Sequence, residues 1–470
     1  MKDSILYCFY DLAVAPASYD FLQFMQSSDL HRKRYGLDRV FFIFVPGPKN
    51  GFRDDSLSKT TMQRSMMMRN VLIPACRLLP SHVGTVWLSN RDEAKAFLEK
   101  ANGNIFPRLY SFEQPVGDYL WRGVVVAHLR GESLSPFIEP LEYTETVQAY
   151  LEGARLKKPH KIVTVTVRET DYNQARNTDL AEWSSFLKEL SSREYRVIIV
   201  PDTERVWNVS PLLNDFEHCS TASIDILFRT ALYRQAHLNM FVNNGPSVIG
   251  GLTGAPTLIF KMVTEDRGDS ASTPEWMKYT IGIESGDQFP IFKINHRIAW
   301  GLDQKEFLLE QFNQYFEAFV NLSFESIDDH GIQSERQRKV ICELAWNYVA
   351  EQKSLNINNI SKEEVDTLEA IIENNPYFAE PKYMLGLIAE ITGHLDVALQ
   401  LFNDCIQISQ ISGDKEMYRD SSLIKTGILE KSGKVEEALR ECLELNEAYP
   451  NDSEVTEKVL SLRKYVDPDA

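Results

Sequence analysis

Apolar residues in the first 150 positions fall into short runs separated by polar stretches with helical spacing. Ile5–Tyr10 (ILYCFY) reads as a buried strand and Tyr19–Ser27 as a helix. Val40–Val45 (VFFIFV) reads as a second buried strand, stopped by Pro46-Gly47-Pro48. Ser58–Arg77 has helical period, with Pro74 as a kink. Thr85–Leu88, Arg91–Lys100 and Val124–His128 continue the alternation of strand and helix. That alternation predicts a parallel sheet covered on both faces. A helix over Thr144–Leu156 then leads into Lys157-Lys158-Pro159-His160, the expected domain boundary.

A second α/β pattern starts afresh. Lys161–Val167 and Tyr195–Val200 are strands, with helices at Leu180–Ser191 and Ile224–Ala236. Leu227–Phe260 reads as helix, strand, small-residue turn, helix, strand. The turn is Asn243-Asn244-Gly245-Pro246-Ser247. The helix after it begins at the open end of a strand, so its first N–H groups are expected to lack partners and to suit an anion. Gly245 would let a ligand approach the backbone, and Pro246 is at home in a first turn. Gly250, Gly251 and Gly254 would let the helix pack tightly on the sheet. Two α/β halves of about 150 residues enclose a cleft at the carboxyl ends of their strands.

From Ser334 the pattern is all helical and repeats. Gly393-His-Leu-Asp-Val-Ala398-Leu-Gln-Leu-Phe402 matches Gly433-Lys-Val-Glu-Glu-Ala438-Leu-Arg-Glu-Cys442 at an offset of 40. Leu385-Gly386 precedes the first copy, Pro450 follows the second, and Asn375-Pro376 closes an earlier helix pair. The expected domains are 1–156, 157–333 and 334–470.

The net charge is −17, and 24 acidic against 12 basic residues place −12 of it in Glu351–Ala470. This is not the basic footprint of a nucleic-acid binder, nor is there a polybasic membrane patch. No segment approaches the ~18 apolar residues of a membrane span. Asp3 and Asp11 interrupt the N-terminal apolar run, which reads as a strand rather than a signal peptide although Ala13-Val14-Ala15 resembles a cleavage site. Six scattered cysteines, without CxxC or metal-ligand spacing, fit reduced thiols in a cytoplasmic protein.

Three loops at strand ends of the second half could carry chemistry. Arg168, just past a buried strand, is placed for charge-assisted bonds to phosphate or for pairing with Glu169 or Asp171. Asp202 could accept from a ribose or base, or cap the next turn. Asn243, Asn244, Gly245, Pro246 and Ser247 together suit a phosphate. In the first half, Asp11 ends a strand before a small-residue loop and is the candidate general base, its alternative being an ordinary strand-end carboxylate. Lys49 and Arg53 could meet an anionic acceptor or lie in a solvated loop. Met62, Met66, Met67 and Met68 spread around a helix and read as adaptable packing. His237 reads as structural. There is no GxxxxGK[ST] loop, no metal-like His cluster, and no DxD pair outside Asp467-Pro-Asp469.

These loops, in this order, resemble the GT-B class of nucleotide-sugar glycosyltransferases. FVNNGPSVIGGLTGAPTLIF is similar to the heptosyltransferase pattern, in which Gly-Pro opens a helix and Gly-x-Pro-Thr leads to the last strand. VTVRETD resembles the HVRRTD segment of α1,6-type fucosyltransferases, whose arginine contacts the donor diphosphate, a role that carries over to Arg168. Thr166 stands where that family has His, and Glu169 where it has a second Arg, which removes one diphosphate contact. The helical tail resembles tetratricopeptide repeats, whose usual period is 34, with a longer loop near Ser412-Gly413-Asp414.

The resemblance implies two Rossmann-like domains followed by a tetratricopeptide-like domain. It also implies metal-free transfer from a nucleotide sugar, without a further cofactor, to a glycan, lipid-linked or protein acceptor. The helical repeats would bind a protein partner or another copy of the chain. Two other readings stay open: a non-catalytic scaffold built on a degenerate transferase domain, and a sugar-nucleotide hydrolase or epimerase.

Overall fold

The computed structural model describes residues 4–54, 59–153, 161–171, 173–193, 195–264, 272–319, 328–351 and 360–466. The expected boundary at 157–160, Ser58, Tyr172 and the Asp467-Pro-Asp469 tail lie outside the described residues. The chain divides into two compact units, residues 1–337 and 338–470.

The first unit begins with β1 (Ile5–Asp11), α1 (Phe21–Arg34), β2 (Arg39–Val45), α2 (Thr61–Met67), α3 (Ile73–Ala75), β3 (His82–Trp87), α4 (Glu93–Ala101), β4 (Ile105–Phe106), α5 (Arg122–Leu129) and α6 (Leu141–Gly153). Its four parallel strands run in the order β3-β2-β1-β4. Both faces of the sheet are covered, which explains why β1 and β2 are apolar without alternation. Tyr7 and Phe9 join Ile43 and Val45 in one cluster. On the opposite face Tyr10 meets Phe21 and Phe24 of α1 edge-on, with ring centroids 4.9 and 5.0 Å apart.

The run Val124–His128, expected to continue the strand–helix alternation as a strand, lies in helix α5. Val124, Val125, Val126 and Ala127 are all buried. A short segment buried all round loses the period that separates helix from strand.

The second half contains β5 (Lys161–Thr166), α7 (Leu180–Ser192), β6 (Tyr195–Val200), β7 (Glu217–His218), α8 (Ser220–Ile224), α9 (Ile226–Gln235), β8 (Leu238–Val242), α10 (Ser247–Thr253), β9 (Thr257–Phe260), α11 (Pro274–Ile281), β10 (His296–Ile298) and α12 (Lys305–Phe319). The sheet order is β10-β9-β8-β5-β6-β7, all parallel. Renumbered within this half, that is 6-5-4-1-2-3, the doubly wound order whose direction reverses between β5 and β8. The first half carries the same 3-2-1-4 core. The architecture is two Rossmann-like halves, the GT-B layout.

Strand β5 shows how sequence sets both faces. Val163, Val165 and Val167 enter the core with Trp183 and Phe186 of α7. On the other face the Thr164 hydroxyl donates to Asn239 Oδ1 of β8 at 2.6 Å, and the Thr166 hydroxyl meets the Tyr233 hydroxyl of α9 at 2.5 Å. The small residues of α10 serve close packing, as expected. A Cβ on Gly250 would lie 2.2 Å from Thr257 Oγ1, and one on Gly251 2.4 Å from the Phe292 ring. His237 is structural, its Nδ1 accepting from the Ile162 N–H at 3.0 Å.

Helix α13 (Glu335–Glu351) spans the division between the units. The second unit continues with α14 (Lys362–Asn374), α15 (Ala379–Ile391), α16 (Leu395–Ser412), α17 (Lys415–Lys431), α18 (Val435–Ala448) and α19 (Ser453–Val466). The 40-residue repeat is a repeat of backbone geometry. Thr392 and Ser432 both end helices at φ −84°, ψ 2°. Gly393 and Gly433 follow at φ +82° and +76°, a conformation that favours glycine. Ala398 and Ala438 are wholly buried at matching positions. A Cβ on Gly386 would stand 2.9 Å from the Phe402 ring. Among the described residues no helix is long and apolar enough to cross a membrane.

Two glycine substitutions should move stability in opposite directions. Gly250→Ala is expected to cost about 1–3 kcal/mol through its clash with buried Thr257. Gly427→Ala, inside α17 with nothing within 4 Å of the new Cβ, should gain up to about 1 kcal/mol from helix propensity. Denaturant unfolding of each variant checks both signs.

Candidate functional site

The carboxyl ends of β1, β5 and β8 open on one cleft of about 1210 Å³. The first half contributes the loop after β1, with Ser18, Tyr19 and Asp20, and the start of α2. The second half contributes Arg168 after β5, Asp202 after β6, and the Asn243–Ser247 turn after β8. The cleft thus lies at the point where the strand order reverses, where α/β folds place their ligands.

The turn itself is more self-contained than expected. The first N–H groups of α10 are not open: Ser247, Val248 and Ile249 donate to the carbonyls of Asn244, Gly245 and Pro246 at 3.1–3.3 Å. Asn244 Oδ1 also accepts from the Ser247 N–H at 3.2 Å, and the Ser247 hydroxyl donates back to the Asn244 carbonyl at 2.7 Å. Gly245 is bare for a packing reason. A Cβ there would lie 2.6 Å from the Tyr19 ring of the other half.

Positive charge comes instead from guanidinium groups around the turn. Arg176 donates to the Asn243 carbonyl at 3.0 Å. Arg168 is buried and lines the cleft, donating to the Asn173 carbonyl at 2.9 Å and to Asn177 Oδ1 at 2.5 Å. Arg229, on α9, is only 2% exposed. It donates from Nε to the Ala222 carbonyl and from Nη1 to the Tyr19 hydroxyl, each at 2.5 Å. Among the described residues it forms no ion pair, though Asp202 lies near enough to act on its charge. Lys59 adds a fourth cation to the lining.

Asp202 is a loop cap. Its Oδ2 accepts from the Glu169 N–H at 3.1 Å and its Oδ1 from the Glu204 N–H at 3.0 Å. The Glu169 carboxyl is pushed above the usual range by burial and by Asp202.

Asp11 is not placed as a base. Its carboxylate is held by Arg91 through two bonds, 2.7 and 2.9 Å, by the Tyr110 hydroxyl at 3.0 Å and by the Ala13 N–H at 2.9 Å. It is 1% exposed and is not among the cleft-lining residues. An acid at the end of a buried strand needs a counter-ion, and Arg91 supplies it. Lys49 and Arg53 are also outside the lining. Lys49 pairs with Asp54, and Arg53 donates to the Val14 carbonyl at 3.3 Å.

Among the described residues of the first half, the carboxylate that lines the cleft is Asp20. It precedes α1, accepts from the Ser18 hydroxyl at 2.7 Å, and makes no cap bond to the helix. Burial pushes its pKa up, against the pull of Ser18, Arg53, Arg176 and Lys59. The α2 start beside it is fixed by a capping box between Thr60 and Gln63. Of the four methionines, Met67 and Met68 are core, whereas Met62 and Met66 are exposed along the cleft. Trp207, 82% exposed, stands at the mouth.

No known protein family matches the sequence, and no curated protein resembles it. Solved structures show a distant likeness. E. coli ADP-heptose LPS heptosyltransferase II is 9% identical, with 67% of this chain and 99% of that one covered at a TM-score of 0.42. A family 9 glycosyl transferase from Veillonella parvula is 8% identical, covering 74% and 97% at 0.41. E. coli heptosyltransferase WaaC, solved with ADP-2-deoxy-2-fluoro heptose, is 10% identical, covering 66% and 99% at 0.35. Likeness at this level carries no information on donor or acceptor.

Replacing the two carboxylates should have opposite effects on stability. Asp11→Ala strands Arg91 and is expected to cost about 3–5 kcal/mol. Asp20→Asn should stabilise the fold at neutral pH. A raised folded pKa means that ionised Asp20 destabilises the protein as pH rises above the unfolded value of 3.8. The gain should vanish below that pH. Unfolding of both variants at pH 7 and pH 3 checks the signs.

Proposed function

We propose that the chain is a glycosyltransferase of GT-B type. It takes a sugar from a nucleoside diphosphate and passes it to a hydroxyl acceptor by direct displacement, without a metal. The observation that carries this reading is Arg229, a desolvated guanidinium that among the described residues forms no ion pair, in one lining with Arg168 and Arg176 at the switch point of a doubly wound sheet. A buried cation of that kind is matched to an anionic ligand. Three guanidiniums around one turn suit a diphosphate.

In this reading the arginines stabilise the negative charge that develops on the leaving nucleoside diphosphate. The acceptor oxygen attacks the anomeric carbon as the bond from that carbon to the diphosphate oxygen breaks. Asp20 takes the proton from the acceptor hydroxyl. Its raised pKa brings it nearer the working pH, where a general base is most effective. Asn243, Asn244, Gly245, Pro246 and Ser247 shape the wall against which the diphosphate lies, and Asp202 holds the β5 and β6 loops in place. Arg168 contributes from its own loop.

The helical unit, with its tetratricopeptide-like repeat, docks a protein partner or a second copy. Six buried free thiols fit a cytoplasmic setting. The scaffold reading has one observation on its side: Arg168 is already engaged by Asn173 and Asn177. Such a scaffold would bind nucleotide without turning it over.

A thermal-shift panel of UDP, GDP, ADP, CMP and TDP tests the binding claim. One nucleotide at 100 times its Kd should add about 2.7 kcal/mol of stability. Arg229→Gln and Arg176→Ala should each reduce that response, and no response from any nucleotide would refute the transferase reading. With the donor identified, Asp20→Asn is expected to keep donor binding and lower turnover by about 10²–10⁴-fold. Unchanged turnover would remove Asp20 from its role.

A further inference from the structure

Part of the cleft wall is aromatic. Phe289, Phe292 and Trp276 of the second half line it, and Trp121 of the first half closes it. Phe292 lies 5.3 Å from Trp121 and 5.1 Å from Phe289, ring centre to ring centre. Gln23 lies against Trp121, and His296 lies against the phenyl rings. His296 opens β10, is 1% exposed and lines the cleft. Its ring is 4.6 Å from Phe292 and 5.7 Å from Phe289.

Among the described residues neither ring nitrogen of His296 has a hydrogen-bond partner. The backbones of Ser247 and of His296 itself come near without making a bond of ordinary geometry. Burial and the neighbouring His330 push its pKa down to about 3, so the ring is neutral. It therefore offers one N–H donor and one bare nitrogen acceptor. Native proteins rarely leave such groups buried and unused. None of the steps proposed for transfer uses this ring.

We infer that His296 is the floor of a glycosyl subsite, where its neutral imidazole holds a hydroxyl of the donor's sugar. This rests on the glycosyltransferase reading. A hydroxyl both donates and accepts, as the imidazole does, and neither group brings a charge into an apolar nest. Aromatic faces suit the C–H surface of a sugar ring. Position agrees with chemistry. Arg176 reaches the Asn243–Ser247 turn at one end and the His296 ring comes near its Ser247 backbone, so a donor with its diphosphate at the arginines can extend its sugar toward His296. Trp121 comes from the other half, so a sugar held here lies where an acceptor bound by that half can reach it.

The experiment compares matched ligands on wild type and variants by calorimetry: UDP, GDP and ADP against UDP-, GDP- and ADP-linked hexoses. His296→Phe should weaken the nucleotide sugar about tenfold and leave the matching free nucleotide within about twofold. The variant should be at least as stable as wild type, because a partnerless polar ring is replaced by an apolar one. His296→Gln, which keeps an uncharged donor and acceptor, should recover part of the loss and provides a second variant should Phe misfold. Equal loss for nucleotide and nucleotide sugar would assign His296 to the base and overturn the inference. Unchanged affinity for both would overturn it as well. Failure of the wild type to bind any of the free nucleotides would instead refute the transferase reading on which it rests.

Discussion

A guanidinium stripped of water and, among the described residues, without an ion pair is the constraint on which the cleft depends. Arg229 is held by one backbone carbonyl and one tyrosine hydroxyl, and neither cancels its charge. That hydroxyl belongs to Tyr19, from the other half of the unit. The Tyr19 ring also fills the space that a side chain at position 245 would need. One residue thus links the loop after β1, the helix before β8 and the turn after it. The polar end of the cleft is organised by that link, since Arg176 reaches the same turn and Asp20 adjoins Tyr19 in the chain. Desolvation makes the cation costly alone and strong toward an anion.

Charge and apolar surface divide the cleft. Arginines gather around the reversal of strand order, whereas aromatic rings gather at the β9–β10 side. A ligand with an anionic middle and an uncharged end matches that division. Asp20 sits on the first-half wall, and burial pushes its pKa up. Asp11, nine residues earlier, has the opposite fate: both of its oxygens are tied to Arg91. The two acids differ in that Asp11 is bonded through both oxygens to an arginine, whereas Asp20 feels its cations, Arg53, Arg176 and Lys59, only at longer range.

How much of this the chain displays in advance depends on the range of the interactions. Runs such as VFFIFV and KIVTVTV announce buried strands because both faces of each sheet are covered. The α10 glycines announce close packing, and Gly393/Gly433 with Ala398/Ala438 announce the helical repeat, because each of these acts within one element or between neighbours. Arg229 was hidden because LFRTALYRQ reads as an ordinary helix with a polar face, and its partner Tyr19 is far away in the chain. Asp20 was not singled out, because the cations that act on it, Arg53, Lys59 and Arg176, are far away in the chain. His296 lies in a three-residue strand, too short to show a period. The VVVA run misled because burial on all sides erases the difference between helix and strand.

The most direct measurement is a crystal structure of the protein saturated with whichever nucleoside diphosphate stabilises it. A phosphate oxygen within ~3 Å of the Arg229 guanidinium, beside the Asn243–Ser247 turn, is the expected result. Phosphates bound elsewhere, with Arg229 still bonded only to Ala222 and Tyr19, would contradict the assignment of that buried charge to the donor.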